Sequence, residues 1–461
     1  MARKHPDGLY VLFFTEMWER FGFYLMIALF SLYLNEQLHW SEADASRMFG
    51  TYNGLVYLTP FFGGIFADRV FGYRRAVITG ATLLAAGYLL FAVGNMVAFY
   101  CSIGLLVLGN GLFKPNISTL VGNLYHQGDS RRDSAFSIFY MGINIGAGLA
   151  PLVGGYIRQR LGWGPAFATA GLGMMLSIAI FTAFRHHLTI ADQRSSVSAL
   201  LDVPLGPDYE DKPDPPAVER QRIVALIVMC GIVMLFWLAF NQNGTSLTFW
   251  ARDNTDRFIR LGSRSWEIAP EYYAAVNSIF IISLTPALVG LMSLLRRYNL
   301  EPSTPAKIGL GMLLTALAYT VMVLGSWAGG NTGKVSMLWL IGCYFLITIG
   351  ELFVSPLGLS MVTKLAPRRM TAMLMGCWFI STAIGAKLSG QIGVFWGRWE
   401  HSQFFALLVL TSLFAAAILV WQFRRLLAAM PPEGPTETPP PPAVRQEKTM
   451  PVVASASSSA A

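Results

Sequence analysis

Apolar runs of about 20 residues recur from one end of this 461-residue chain to the other. A helix of that length crosses the ~30 Å hydrocarbon core of a bilayer and satisfies its own backbone hydrogen bonds there. Hydrophobic residues make up 54% of the chain, so no large polar domain accompanies these runs. The sequence therefore predicts an all-α integral membrane protein whose surroundings are the lipid bilayer.

We count about twelve spans in two groups of six. A hydrophilic segment with several prolines separates the groups and is typical of a linker. The predicted spans are 8–34, 44–68, 73–94, 97–121, 131–157, 164–184, 222–252, 270–296, 305–328, 334–363, 371–397 and 401–427. The predicted domains are an N-terminal six-helix bundle (1–185), a cytoplasmic linker (186–221), a C-terminal six-helix bundle (222–428) and a disordered cytoplasmic tail (429–461) that is poor in apolar residues.

The positive charges of the chain concentrate in alternate loops. The net charge of +8 could by itself indicate a nucleic-acid partner, but the cations cluster in the even-numbered loops and at the C-terminal end, as Arg74, Arg131, Arg185 and Arg424 do. By the positive-inside rule, both termini and the linker then lie in the cytoplasm. We predict a multi-pass protein of the inner (plasma) membrane without a nucleic-acid partner.

The first span carries ionisable residues that are expensive inside a bilayer. Glu16, Glu19, Arg20 and Tyr24 fall within an arc of roughly 140° on a helix that turns ~100° per residue. Such a stripe cannot face lipid, so it must line a cavity or a contact between helices. This pattern indicates a pathway for a solute or for protons.

Two further charges lie in the middle of spans, one in each half of the chain. Lys114 belongs to the fourth span and Glu351 to the tenth. An ion pair between them would satisfy both charges and would be broken by protonation or by a charged substrate. We therefore predict a pair between the halves that controls their separation.

Several motifs together resemble one family. Glu16 to Tyr24 matches the ExxERFxxY pattern of the proton-dependent oligopeptide transporters, a branch of the major facilitator superfamily, and Gly63 to Arg75 resembles the loop signature of that superfamily. Other blocks that resemble the family are Gly111–Asn116, Phe139–Gly146, Gly350–Ser360 and Met375–Phe379. The resemblance implies a major facilitator fold with twelve transmembrane helices, and a proton-coupled symporter that imports di- and tripeptides by alternating access.

The resemblance also implies roles for single residues. Arg20 and Lys114 would face the peptide carboxylate and Glu351 its amine, while Asn144 and Asn277 would bind the peptide backbone or termini. Aromatic and small side chains would complete the substrate site, namely Tyr24, Tyr57, Tyr140, Ser355 and Trp378. No histidine falls in the middle of a span, so a carboxylate must carry the protons. Proton coupling is assigned to Glu16, Glu19 and Glu351 together with the cations Arg20 and Lys114 that can pair with them.

The chain departs from the family at one ion pair. Many members carry a second arginine on the first span and a glutamate on the seventh, and Ile27 and Asn241 stand at these positions here. Because both partners are missing together, no charge is left unpaired, and we predict that the outer gate closes without this pair. Lys387 is an added cation near the outer face, interpreted as snorkelling to the interface or as a replacement gate cation.

Other functions remain as alternatives. A carrier of the same architecture could move a small anion or a peptide-like drug, and a membrane-embedded enzyme or a channel is a more distant possibility. We find no metal-binding or nucleophile motif, and interpret Cys101, Cys230, Cys343 and Cys377 as small buried residues within spans. We predict no enzyme activity, no cofactor other than protons as the coupling ion, no metal, and a monomer.

Overall fold

Twelve long helices account for most of the computed structural model, which describes residues 4–125, 129, 131–192, 216–366 and 371–429. We number them helix 1 to helix 12 in chain order. Their bounds are Asp7–Leu32, Glu42–Phe66, Tyr73–Phe91, Met96–Asn123, Arg132–Leu161, Trp163–Ala183, Pro216–Phe240, Tyr273–Arg297, Thr304–Gly329, Met337–Leu365, Thr371–Ile392 and His401–Ala429. The predicted twelve-helix, all-α fold is confirmed.

The helix ends differ from the prediction at a few places. Helix 7 begins at Pro216 rather than at residue 222, and the end of the predicted seventh span forms a separate short helix, Ser246–Asp253. Helical turns at Arg185–Leu188 and Thr189–Asp192 follow helix 6. Residues 193–215 of the predicted linker and 430–461 of the predicted tail lie outside the described ranges, so both assignments stay predictions.

Length and apolar composition mark most of the helices as membrane spans. Judged by length and composition alone, eight of the twelve described helices could cross a membrane. Helices 1, 2, 3 and 11 do not meet both criteria. Helix 1 packs against helices 4, 5 and 6, and most of its residues are buried. Its charged residues are therefore shielded from lipid by neighbouring helices.

The helices form two bundles of six that meet along two helix pairs. Helices 1–6 pack among themselves, as do helices 7–12, and the main contacts between the bundles join helix 2 to helix 11 and helix 5 to helix 8. Glycines permit close approach within and between the bundles. A Cβ atom at Gly63 would overlap the carbonyl of Gly111, and one at Gly50 would lie 2.7 Å from the Cα atom of Gly390.

Two pairs of short strands lie on one side of the molecule. Phe258–Leu261 pairs antiparallel with Arg264–Glu267, with Phe258 opposite Glu267, and Gly262 takes a φ of 61° in the turn. Thr255–Asp256 pairs parallel with Val335–Ser336. We call this side the distal side, because it lies across the bundle from the start of helix 1 and the end of helix 12, which mark the N-terminal side.

The two halves are closed on the distal side. Every hydrogen bond and ion pair between described residues of the two halves lies from mid-depth to the distal side, as shown by Ser31 to Gly244, Asn53 to Asn241 and Arg158 to Glu271. On helix 5, nearer the N-terminal side, 44% of the Tyr140 surface is accessible. Among the described residues, the contacts between the halves thus close the distal side, and the interior is accessible at Tyr140.

The four cysteines are free, but their burial differs from the prediction. Cys343 is buried and Cys230 and Cys377 are half-buried, whereas Cys101 is exposed. Its neighbour Tyr100 is 56% exposed and Val97 is 76% exposed. The prediction of a buried residue is wrong for Cys101, because this face of helix 4 points away from the bundle.

Candidate functional site

A buried arginine and glutamate form the centre of the site on helix 1. The Arg20 Nε atom donates to Glu19 Oε2 at 2.5 Å, and Nη2 donates to Glu19 Oε1 at 2.7 Å. Both residues are at most 6% exposed. The guanidinium also lies over the ring of Phe23, with its Cζ atom 4.5 Å from the ring centroid. This two-bond pair is the geometry in which arginine binds a carboxylate best.

Glu16 lies one turn earlier and is only partly paired. Its Oε1 atom accepts a hydrogen bond from Lys114 and lies 3.6 Å from the Arg20 Nε atom. Its Oε2 atom is buried and has no hydrogen-bond partner among the described residues. The Lys114 side chain is 28% exposed, so the lysine connects the buried carboxylate to the accessible interior.

Glu351 on helix 10 is held by polar groups of its own half. The Asn277 Nδ2 atom, on helix 8, donates to Glu351 Oε2 and to Thr348 Oγ1, each at 3.0 Å. Among the described residues Glu351 forms no ion pair. Ser355 lies one turn further along helix 10 and is half-buried, so it shares the face of Glu351.

The predicted ion pair between Lys114 and Glu351 is absent from this structure. Lys114 is bound to Glu16 within the N-terminal half, and Glu351 is bound to Asn277 within the C-terminal half. The prediction is wrong for this conformation, because each charge finds a polar partner in its own half.

Aromatic side chains of the N-terminal half surround the charged groups. The ring of Phe23 lies 5.3 Å from that of Tyr24 and 6.3 Å from that of Tyr57, measured between centroids. Tyr24, Tyr57 and Tyr140 all lie within electrostatic range of Glu351 in the other half. The structure thus brings these three predicted residues to one interior surface opposite Glu351.

Two other predicted residues make local contacts. Asn144 is buried, and its Nδ2 atom donates to the Tyr140 carbonyl of its own helix at 2.9 Å. Trp378 on helix 11 is 3% exposed and packs on Gly358 of helix 10, where a Cβ atom would overlap the indole ring. In this conformation both side chains are engaged within their own half.

Sequence reasoning missed three polar residues of the interior. Asn110 accepts from Arg20 Nη2 at 3.1 Å and donates to the Val56 carbonyl at 2.9 Å, which fixes the guanidinium against helices 2 and 4. The ring centroids of Trp237 on helix 7 and of Tyr57 lie 6.2 Å apart across the halves, and within the described part of the chain the Trp237 indole nitrogen has no hydrogen-bond partner. Asn53 is the third. An amide on an apolar helix, such as Asn110 between two glycines, is the signal that could have identified the two asparagines.

The structure also shows the contacts of the residues that depart from the family pattern, which are Ile27, Asn241 and Lys387. The Asn53 Nδ2 atom donates to Asn241 Oδ1 at 2.5 Å, so a neutral amide pair joins helix 2 to the turn Asn241–Gly244 that follows helix 7. Ile27 packs half-buried against the core. Lys387 is exposed, as snorkelling requires, and its Nζ atom also donates to Thr51 Oγ1 of the other half at 2.5 Å. Its partner across the halves is thus a neutral hydroxyl.

Comparison with known proteins assigns the chain to a family. The sequence profile of the POT family (PTR2) matches residues 74–199 and 216–400. The chain belongs to the POT family. A curated relative, dipeptide and tripeptide permease A of Escherichia coli, is 33% identical over 441 residues, which cover 85% of this chain and 86% of the relative. The uncharacterized transporter YclF of Bacillus subtilis is 32% identical over 468 residues, covering 90% and 93%.

Solved POT structures share the architecture. A crystal structure of a variant of the peptide transporter POT in complex with alafosfalin is 31% identical, covers 93% of this chain and 97% of its own, and superposes with a TM-score of 0.83. A POT family transporter in complex with 5-aminolevulinic acid is 26% identical, covers 92% and 98%, and has a TM-score of 0.83. The predicted major facilitator fold of two six-helix bundles is confirmed, and this POT protein is a multi-pass membrane transporter.

Chemically, the POT site combines fixed charges of both signs with a partly open interior. Arg20 and Lys114 supply cations, and Glu16, Glu19 and Glu351 supply carboxylates that can be protonated. Within the described ranges no group of His, Cys, Asp or Glu residues could hold a metal ion. The arrangement can bind a small solute with a positive and a negative end and can move protons between carboxylates.

Proposed function

We propose that the chain is a proton-coupled symporter that imports di- and tripeptides by alternating access, as a monomer, without a cofactor and without enzyme activity. The observation that carries this proposal is the distribution of charge at mid-depth. Two cations and two carboxylates lie in the N-terminal half, and a carboxylate faces them from the C-terminal half. A peptide carries one charge of each sign at its ends, so it can bridge the halves where no protein ion pair does.

The N-terminal side corresponds to the cytoplasm in this proposal, and the membrane is the inner membrane. The excess of arginines in the loops of that side supports this orientation. The structure would then represent the inward-facing conformation, closed to the exterior by helices 2 and 11 and by helices 5 and 8. Names of the curated relatives, among them a dipeptide and tripeptide permease, support the substrate class.

Protons would couple to transport through Glu16 and Glu19. Glu19 occupies the Nε and Nη2 atoms of Arg20, so a peptide carboxylate cannot bind this same side of the guanidinium. Protonation of Glu19 would remove one negative charge and release the guanidinium for the substrate. Because the linkage is reciprocal, substrate bound to Arg20 would favour the protonated glutamate. Glu351 would bind the peptide amine once it is released from Asn277.

The test is uptake of labelled dialanine by the purified protein in liposomes, with and without an inward proton gradient. We expect accumulation only with the gradient, and exchange of labelled for unlabelled dialanine without it. Absence of both uptake and exchange would contradict the peptide assignment. Hydrolysis of the dipeptide would instead indicate an enzyme, and ion conduction without substrate would indicate a channel.

A second candidate is a carrier of other small molecules with an amine and a carboxylate. A POT family transporter in complex with 5-aminolevulinic acid, 26% identical to this chain, favours it. Substrate choice distinguishes the two, because a peptide carrier should take up labelled dialanine and lose that uptake to excess tripeptide. A carrier of single amino acids should instead take up labelled 5-aminolevulinic acid and no dialanine.

A further inference from the structure

Five charged side chains from both halves meet on the distal side, in what we call the distal ion network. Glu36, Glu42 and Arg158 belong to the N-terminal half, and Arg252 and Glu271 belong to the C-terminal half. Glu36 lies in the π-helical turn Tyr33–Gln37 that ends helix 1, and Glu42 begins helix 2. Sequence analysis assigned no role to any of them.

Arg158 forms the first junction between the halves. Its Nε atom donates to Glu271 Oε1 at 2.8 Å and its Nη2 atom to Glu271 Oε2 at 3.2 Å, while Nη1 donates to Glu36 Oε2 at 3.0 Å. The Glu271 side chain is 0% exposed and that of Arg158 is 17% exposed. This buried two-bond geometry is the form of ion pair that contributes most to holding two surfaces together.

Arg252 forms the second junction, in which the arginine belongs to the C-terminal half and its partners to the N-terminal half. Its Nη2 atom donates to Glu42 Oε1 at 2.7 Å, and its Nη1 atom donates to Asn35 Oδ1 at 2.6 Å and lies 3.9 Å from Glu36 Oε1. The carboxylate of Glu36 therefore lies between the two arginines and connects the two junctions into one chain of charges.

Local packing positions both arginines for these contacts. Arg158 lies over the ring of Trp163, with Cζ 4.8 Å from the centroid, and Arg252 lies over Phe249 at 5.2 Å. Each of these aromatic rings belongs to the half of its arginine. Gly155 allows helix 5 to approach the other half, because a Cβ atom there would lie 2.6 Å from Glu271 Cγ and 2.5 Å from Tyr272 Cε1.

Each arginine has a carboxylate partner in both halves. Arg158 binds Glu36 in its own half and Glu271 in the other, and Arg252 binds Asp253 in its own half, at 2.7 Å, and Glu42 in the other. Separation of the halves would therefore leave neither cation unpaired, and Glu271 would become hydrated. Buried ion pairs are costly to break when a charge is stranded, and this arrangement avoids that cost for both cations.

We propose that the distal ion network holds the halves together on the exterior side and takes the place of the ion pair that is missing at Ile27 and Asn241. The amide pair between Asn53 and Asn241 contributes a hydrogen bond but no charge. Opening of the network is then the step that limits the return to the outward-facing conformation. This inference rests on the proposed alternating access, but it does not depend on which solute is carried.

The test measures opening of the distal side directly. Ser278 is 2% exposed, and its Cβ atom would lie 3.6 Å from a Cβ atom at Gly148 of the other half. With the native cysteines replaced, Ser278→Cys serves as the reporter, and a membrane-impermeant maleimide is added to intact cells that express the full chain. We expect Glu271→Gln to raise the labelling rate by about fivefold or more, the lower end of typical coupling between sites.

Charge reversal and a matched control make the result specific. Glu271→Arg alone should also raise the labelling rate. Adding Arg158→Glu should lower it again by restoring opposite charges across the junction, and this pair of variants is made in a Glu36→Gln background because Glu36 would otherwise face the introduced carboxylate. Glu267→Gln is the control, because Glu267 pairs with Arg257 at 2.9 Å within one half, and it should label like the parent. Equal labelling of Glu271→Gln and the parent, or no recovery in a folded double variant, would overturn the proposal.

The readout separates this proposal from the proposed function. Labelling reports the conformation and needs no substrate, so a protein that transports no peptide would still show the effect of Glu271→Gln. Gel filtration and thermal unfolding of each purified variant identify any that fail to fold, and the Arg158→Gln variant then tests the same junction from the other side.

Discussion

At the scale of single residues, two glutamates one turn apart have different environments. Glu19 has both oxygens bound to Arg20, whereas Glu16 binds Lys114 through one oxygen, and its other, buried oxygen has no hydrogen-bond partner among the described residues. We expect Glu19→Gln to lower gradient-driven accumulation of dialanine by about tenfold or more relative to the parent. Exchange of labelled for unlabelled dialanine should continue. The neutral amide mimics the protonated state permanently, so Arg20 stays available to substrate but protons no longer control it. Paired accumulation and exchange assays in liposomes measure both effects.

Glu400→Gln is the matched control for this variant, because Glu400 is an exposed carboxylate outside the interior. It should accumulate dialanine as the parent does. Accumulation by Glu19→Gln at the rate of the parent would contradict the assigned role, and loss of exchange as well would indicate that the residue binds substrate or maintains the fold instead.

The identity of the charged site residues could be predicted from the sequence, but not their partners. An ionisable side chain within a span is costly and must be enclosed, which pointed to Glu16, Arg20 and Glu351. Which groups pair depends on how far apart the halves are in a given conformation, and one sequence serves several conformations. Lys114 therefore binds Glu16 here rather than Glu351.

At the scale of elements, the turn between helices 8 and 9 contains a compact charge cluster. Glu301 accepts from Arg296 Nε at 2.6 Å and from Lys307 Nζ at 2.5 Å. These hydrogen bonds lower the pKa of the Glu301 carboxyl from its ordinary value of 4.5 to about 2. Because the pKa is lower in the folded state, the cluster stabilises the fold above pH 4.5, and that stabilisation is lost as the pH falls toward 2.

Glu301→Gln should therefore melt at a lower temperature than the parent at pH 6, by about 2 °C. The difference should shrink as the pH falls below the ordinary carboxyl pKa, since the parent then loses the same interaction. Thermal unfolding of the detergent-solubilised protein at pH 6 and pH 3 measures this. A difference that stays constant between the two pH values would show that the variant acts through packing and not through the carboxylate charge.

The helices themselves could be predicted more completely than the segments that join them. A span must be long and apolar because it crosses the hydrocarbon core of the bilayer, so its existence can be predicted from composition. The π-helical turn at Tyr33–Gln37, the short helix Ser246–Asp253 and the strand pair of Phe258–Leu261 lie at the polar ends, where that constraint is absent. These unpredicted segments carry or adjoin Glu36 and Arg252 of the distal ion network.

At the scale of the whole molecule, the two halves could be predicted but the closed side could not. Six spans on each side of a polar segment predict two bundles, and alternating access requires that both closures be stable for the same sequence. The glycines that allow the distal contact, such as Gly50 and Gly390, read in the sequence as ordinary helix-packing residues. Only the structure shows that they face each other across the halves.

Cross-linking the halves on the distal side should stop transport. A Cβ atom at Gly54 of helix 2 would lie 3.5 Å from the Cβ atom of Lys387 of helix 11, within the range of 3.5–4.5 Å that a disulfide requires. In a background without native cysteines, the double variant Gly54→Cys/Lys387→Cys should form this bond on oxidation. Since the halves could then no longer separate on that side, uptake should fall by about tenfold or more and return on reduction. The single variants should be insensitive to oxidant, and full uptake by a completely oxidised double variant would rule out separation of the halves at this contact as a step of transport.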